Sequence, residues 1–109
     1  MKELLPPSIR ESIPTLYATE GEDDPIVYAK LFTPWSNWTW YVTEFDGEDI
    51  CFGLVSGHEV ELGNFSLREL ESLSGIGGLR IERDIYFEHI PLSKARALEA
   101  MKRNGPDPL

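Results

Sequence analysis

The sequence predicts an α+β domain: a mainly antiparallel sheet of five to six strands, with two or three short helices forming a single layer on or beside it. Three observations lead there. Pro34 to Asp46 holds all three tryptophans, and after Asn37 it alternates as a strand does. Short apolar segments follow one another across tight-turn signals such as Asp46-Gly47 and Ser56-Gly57. Two later segments begin with helix-capping serines, Ser66 and Ser93.

The central segment places Trp38, Trp40, Val42 and Glu44 on one predicted face, and Thr39, Tyr41, Thr43 and Phe45 on the other. Both faces carry large apolar groups, so this strand is expected to be covered on both sides. Leu4 to Ile13 reads as a short helix, with Pro7 in its first turn and Pro14 as its stop. Thr15 to Thr19 reads as a first strand. Glu20-Gly21-Glu22-Asp23-Asp24-Pro25 is an acidic turn, and Ile26 to Phe32 is the next strand, with Val27, Ala29 and Leu31 sharing a face. Asp46-Gly47-Glu48-Asp49 turns the central strand into a hairpin with Ile50 to Val55. Cys51 and Gly53 are small and share a face, which leaves room for a bulky neighbour such as a tryptophan.

Glu59 to Leu62 is a further short strand after the Ser56-Gly57-His58 turn, with Val60 and Leu62 facing inward and Glu59 and Glu61 outward. Ser66 with Glu69 is a capping box, so a helix starts there with Leu67, Leu70 and Leu73 as its buried edge. Gly75-Ile76-Gly77-Gly78 ends it. Leu79 to Phe87 reads as another strand. Ser93 caps a last helix from Lys94 to Arg103, with Ala95, Leu98 and Met101 as its apolar stripe. The 109 residues read as one domain, with a core over about 4–103 and a flexible tail over 104–109.

Composition bounds the function. No apolar run reaches the roughly 20 residues a membrane span requires, and Met1 to Pro7 lacks the unbroken apolar core of a secretory leader. One cysteine makes neither an internal disulfide nor a zinc site, so a reducing cytoplasm is the expected compartment. The net charge is −9, but residues 11–93 alone carry 16 acidic and 4 basic side chains. Such a body repels nucleic-acid phosphates and favours cations or a protein with a basic surface. Direct nucleic-acid binding through Lys94, Arg96, Lys102 and Arg103 is the least favoured reading, no membrane is implied, and the oligomeric state is left open.

Two sets of residues carry the functional expectations. Glu44, Glu61, Glu82, Arg83 and Asp84 lie on predicted strands, where converging carboxylates would hold Mg²⁺ for phosphoryl chemistry or form an acid/base pair. Alternatively, Arg83 neutralises them in a structural ion-pair network. No cofactor is required; a divalent cation is the one the cluster would take. Trp35 and Trp38, with the acidic turns Glu20, Glu22, Asp23, Asp24 and Asp46, Glu48, Asp49, form the candidate interaction surface. Trp40 reads as core, and Trp35, in its turn, as the better contact residue. His58 and His89 lack metal partners at ligand spacing, Cys51 reads as core filling, and neither Ser-Gly pair has the pattern of a nucleophile elbow.

The segments Lys30-Leu31-Phe32-Thr33-Pro34, Trp38-Thr39-Trp40-Tyr41-Val42-Thr43-Glu44, Phe52-Gly53-Leu54-Val55, Glu61 to Leu70 and Ile81-Glu82-Arg83-Asp84 occur in an order that resembles the bacterial domain-of-unknown-function family 2958. The resemblance covers roughly Leu4 to Ser93. It implies a protein carried by plasmids, phages and integrated conjugative elements, alone or inside larger proteins. It transfers no catalytic residue. Together with the acidic body, it favours a non-enzymatic interaction module, an anti-defence or DNA-mimicking inhibitor of a basic or DNA-handling host protein. The alternative is a metal- or ligand-binding enzyme using the carboxylate cluster.

Overall fold

A computed structural model describes residues 3–104. The predicted tail therefore lies, all but Asn104, outside the described residues. The elements in order are α1 (Pro7–Arg10), β1 (Ile26–Val27), β2 (Ala29–Phe32), β3 (Thr39–Phe45), β4 (Ile50–Ser56), β5 (Val60–Ser66), α2 (Leu67–Ser72), a 3₁₀ turn (Ile76–Gly78), β6 (Glu82–Arg83), β7 (Ile90–Pro91) and α3 (Leu92–Asn104). Five strands form an antiparallel sheet in the order β5-β4-β3-β2-β6, and β1 pairs with β7 in a separate two-stranded ribbon. The architecture is α+β and mostly sheet, as the sequence predicts.

All seven residues of β3 are buried, the consequence of apolar cover on both faces. On one face Trp40, Val42, Phe45, Ala29, Leu31 and Cys51 pack against the N-terminal Leu4, Leu5 and Ile13 and against Leu67 and Leu70 of α2. On the other, Tyr41 and Leu54 pack against Val27 and against Leu92 and Ala95 of α3. The helical cover is thus divided between the faces.

A register shift between Val42 and Glu44 breaks the alternation of β3. Val42 opposes Gly53 and Phe45 opposes Cys51, so a bulge at Thr43 brings Phe45 onto the face of Trp40 and Val42. Glu44 is sent to the opposite face, contrary to the face predicted from strict alternation. Gly53 is small for a different reason than predicted. A Cβ there would lie 1.7 Å from the Tyr41 carbonyl oxygen, so the close neighbour is backbone of β3 and not a tryptophan. Glycines do seat tryptophans elsewhere: Trp38 lies on Gly57 and Trp35 on Gly75.

Several elements differ from their predicted form. The first helix is one turn long. Thr15 to Thr19 is a run of turns and not a strand, with Tyr17 held at φ +69°. The strand predicted over Ile26 to Phe32 breaks at Tyr28, so Val27 enters the core cluster opposite to that of Ala29 and Leu31. The fifth strand runs on through Gly63, Asn64 and Phe65 to Ser66. The segment predicted as a strand from Leu79 to Phe87 pairs only at Glu82–Arg83, leaving Ile85 and Tyr86 exposed. In α2 the capping bond from the Glu69 amide to Ser66 Oγ is present at 3.2 Å, while Leu73 ends the helix in an extended, exposed conformation. The inward edge of α3 is Leu92, Ala95 and Glu99, whereas Leu98 and Met101 are exposed.

Candidate functional site

The five residues of the predicted carboxylate cluster do not meet. Glu61 lies on β5 and Glu82 on β6, at opposite edges of the sheet, with Glu44 on the central strand between them. Among the described residues no group of three or more Asp, Glu, His or Cys side chains is placed to hold a metal ion. The separation follows from the connectivity: the segment carrying Glu82 joins the edge of β2, so it never approaches β5.

Glu44 has a different role. Re-aimed by the bulge, the residue is only 4% exposed, and its carboxylate accepts bonds from the Tyr17 amide at 2.8 Å, the Thr19 amide at 2.9 Å and the Thr19 hydroxyl. Burial pushes this carboxyl up, but the Thr19 hydroxyl and the two amides outweigh it and hold the group below its ordinary range. Glu44 is the post to which the Thr15–Asp24 loop is tied. The far end of that loop is tied by Asp24. Its Oδ1 accepts the Ser93 amide at 2.8 Å and its Oδ2 accepts the Ser93 hydroxyl at 2.6 Å. These two bonds lower its pKa, and the carboxylate sits at the N-terminus of α3, where negative charge is favoured. Ser93, predicted as the cap, is itself capped from across the chain.

Tied at both ends, the loop roofs a cleft of about 630 Å³ between itself, β4, β5 and the start of α3. Phe52, Leu62 and Leu92 supply apolar walls, and Glu20, Glu22 and Asp23 stand on the rim. Tyr17, strained in the left-handed region and 76% exposed, projects beside them. Arg96 of α3 also lines the cleft, so the opening combines an apolar interior with an edge that is mostly negative and carries one cation.

The second acidic turn is structural. Asp46 Oδ1 accepts the amides of Glu48 at 2.8 Å, Asp49 at 2.8 Å and Ile50 at 3.1 Å, which closes the hairpin turn. The amides of Asp49 and Glu48 hold Asp46 below the ordinary carboxylate range. Asp49 accepts the Ser66 hydroxyl and the Arg68 amide at the start of α2. Glu48 is exposed and free of such duties. Of the tryptophans, Trp35 is partly buried and packs against the main core. Trp38 is 36% exposed and held edge-on by His58 and tilted against Trp40.

Trp38 leads to a second cleft, of about 620 Å³, near the last turn of α3. Here Glu82, Arg83 and Asp84 do come together, joined by Lys30 and Lys102. Behind them lies a buried polar network that sequence reasoning missed. Tyr41 donates its hydroxyl to Glu99 Oε2 at 2.6 Å, and Lys102 Nζ lies 3.3 Å from Glu99 Oε1 and 3.3 Å from Thr39 Oγ1. Burial pushes Glu99 up, but the Ser56 and Tyr41 hydroxyls and the Lys102 charge together keep it below its ordinary value. Burial, followed by the Glu99 carboxylate, strongly raises the Tyr41 phenol. The available signal was the spacing of Leu92, Ala95 and Glu99 on one helix face.

These features define a class: a small α+β domain on a two-faced antiparallel sheet, with an open cleft at each end of its last helix. The chain belongs to the family described as protein of unknown function (DUF2958), whose profile matches residues 4–105. No curated protein and no solved structure matches it. No helix among the described residues is long and apolar enough to cross a membrane.

Proposed function

We propose that the protein is a non-enzymatic interaction module that captures a basic segment of a partner protein in the acidic cleft. The carrying observation is the negative rim of Glu20, Glu22 and Asp23 above the apolar walls of Phe52, Leu62 and Leu92. An apolar side chain of the partner enters the cleft while flanking Lys or Arg residues face the rim. Exposed ion pairs contribute about 0.2–1 kcal/mol each, so the rim selects and orients, and apolar burial supplies most of the affinity. The family resemblance implies carriage by plasmids and phages, and on that reading the partner is a DNA-handling or defence protein of the host, met in the cytoplasm. Its phosphate-binding surface would accept the acidic body as a DNA mimic.

The test separates rim charges from those that hold the fold. Asp24, Glu44, Asp46 and Asp49 are left intact, and Glu20→Lys, Glu22→Lys and Asp23→Lys are combined. Fluorescence anisotropy then follows a labelled lysine-rich peptide bearing two leucines, beside a leucine-free version. The triple variant is expected to bind at least about tenfold more weakly, equivalent to roughly 1.4 kcal/mol, with a melting temperature no lower than that of the wild type, since the change also relieves negative self-repulsion. Loss of the leucines is expected to cost at least as much. Equal binding by wild type and variant would overturn the proposal.

A further inference from the structure

The second cleft gathers three cations, Lys30, Arg83 and Lys102, beside two carboxylates, Glu82 and Asp84. The strongly acidic segment 11–93 has only four basic residues, and two of them, Lys30 and Arg83, line this one cleft together with Lys102. Lys30 and Arg83 are both partly buried. Neither has a carboxylate within 4.0 Å among the described residues, although Glu82 and Asp84 flank Arg83. Lys30 Nζ lies over the Tyr41 ring, 5.8 Å from its centroid, but neither cation has a carboxylate counter-ion in contact, a position that an anionic ligand would fill. Lys102 is held in place from behind by buried Glu99 and by Thr39 Oγ1. Asp84 Oδ1 is occupied by the Tyr86 amide at 2.9 Å, which fixes the loop on the far side.

The walls are aromatic. Trp38 rests on Gly57, where a Cβ would come within 2.4 Å of its ring, so the indole has a set position without sealing the cleft. Tyr86, on the opposite loop, is 87% exposed. Ser36 and Asn37 add hydrogen-bonding groups at the mouth. A volume of about 620 Å³ lies within the range of small-molecule sites. We infer that this cleft binds a mononucleotide, with the base against Trp38 and the phosphates between Lys30, Arg83 and Lys102. Aromatic stacking accepts any base, the cations recognise phosphate, and Glu82 is available to the sugar hydroxyls. A longer nucleic-acid strand is disfavoured because its remaining phosphates would face the acidic body.

The experiment uses the full chain and reads intrinsic tryptophan fluorescence together with isothermal calorimetry. ADP is the first probe, with GDP, CDP and UDP beside it, and with adenosine, inorganic phosphate and a short oligothymidylate as controls. Saturable quenching by at least one of the nucleoside diphosphates is expected, with adenosine and phosphate each weaker by about tenfold or more. Lys30→Ala combined with Arg83→Ala is expected to weaken that nucleotide by a similar factor. Trp38→Ala is expected to do the same, and Trp38→Phe to recover most of the loss. Should Trp38→Ala disturb the fold, Arg83→Glu at the sheet edge provides the independent variant. No saturable binding of any diphosphate up to about 10 mM would sink the proposal. So would adenosine binding as tightly as ADP, affinity indifferent to the Lys30/Arg83 change, or tighter binding of the oligothymidylate.

Discussion

A carboxylate can be buried in a sheet when donors meet its oxygens, and at Glu44 they do. Three donors from the Thr15–Asp24 loop replace the water it loses, and bonds to a charged acceptor contribute about 1.5–3 kcal/mol. Its pKa is lowered in the folded protein. The unfolded chain therefore binds the proton first, and the stabilisation is complete above the ordinary value of about 4.5. It is lost as the pH falls through the folded value. Glu44→Gln is accordingly expected to destabilise the protein by about 1–3 kcal/mol at neutral pH and to flatten the acid limb of its stability curve. Urea unfolding between pH 7 and pH 3 checks both; an unchanged acid limb would assign that limb to other carboxylates. That Glu44 is charged and lies on a strand was legible in the sequence. Which way it points was not, because the bulge at Thr43 sits where Gly53 closely approaches the Tyr41 backbone, a cross-strand contact that no spacing rule encodes.

At the level of elements, strands with both neighbours in place were the legible ones. The hairpin of β3 and β4 has an Asp-Gly turn, β-branched and aromatic residues, and a partner immediately next in sequence. Segments with similar alternation but no partner were misread. Thr15 to Thr19 carries strand-forming residues, yet the Tyr17 and Thr19 amides go to the Glu44 carboxylate and the Ala18 amide to the Thr15 carbonyl, none of them to another strand. Leu79 to Phe87 pairs for two residues at the sheet edge and then turns at Asp84. Tertiary pairing decided both outcomes over local preference. The latch between the acidic loop and α3 makes a separate prediction. Asp24→Ala removes both bonds to Ser93, so amide hydrogen exchange should accelerate at Ser93 and through the loop back to Glu20, while the residues tied to Glu44 and those of β3 and β4 keep their protection. Uniform acceleration across the sheet would mean that the loop is part of the global folding unit and not a separate latch.

For the molecule as a whole, charge is the dominant fact. Only two ion pairs, Arg10–Glu3 and Lys102–Glu99, are formed among the described residues, against 19 acidic side chains in the sequence. The folded state concentrates unpaired negative charge, and added salt screens its self-repulsion. Raising sodium chloride toward 1 M is thus expected to stabilise the domain by about 1 kcal/mol, or roughly 4–8 °C in melting temperature. It should weaken capture of the basic peptide over the same range. A melting temperature that falls with salt would indicate that attractive pairs outweigh the repulsion. The net charge behind this behaviour was legible from composition alone; the sorting of its carboxylates into fasteners and free rim groups needed the fold. Cys51, the one thiol of the chain, is fully buried, and burial pushes its pKa up to about 12. At neutral pH it is inert toward alkylating reagents. The wild-type protein is consequently a silent background for site-directed labelling: a cysteine introduced at either cleft mouth would take up a fluorophore alone, giving each opening its own reporter of occupancy.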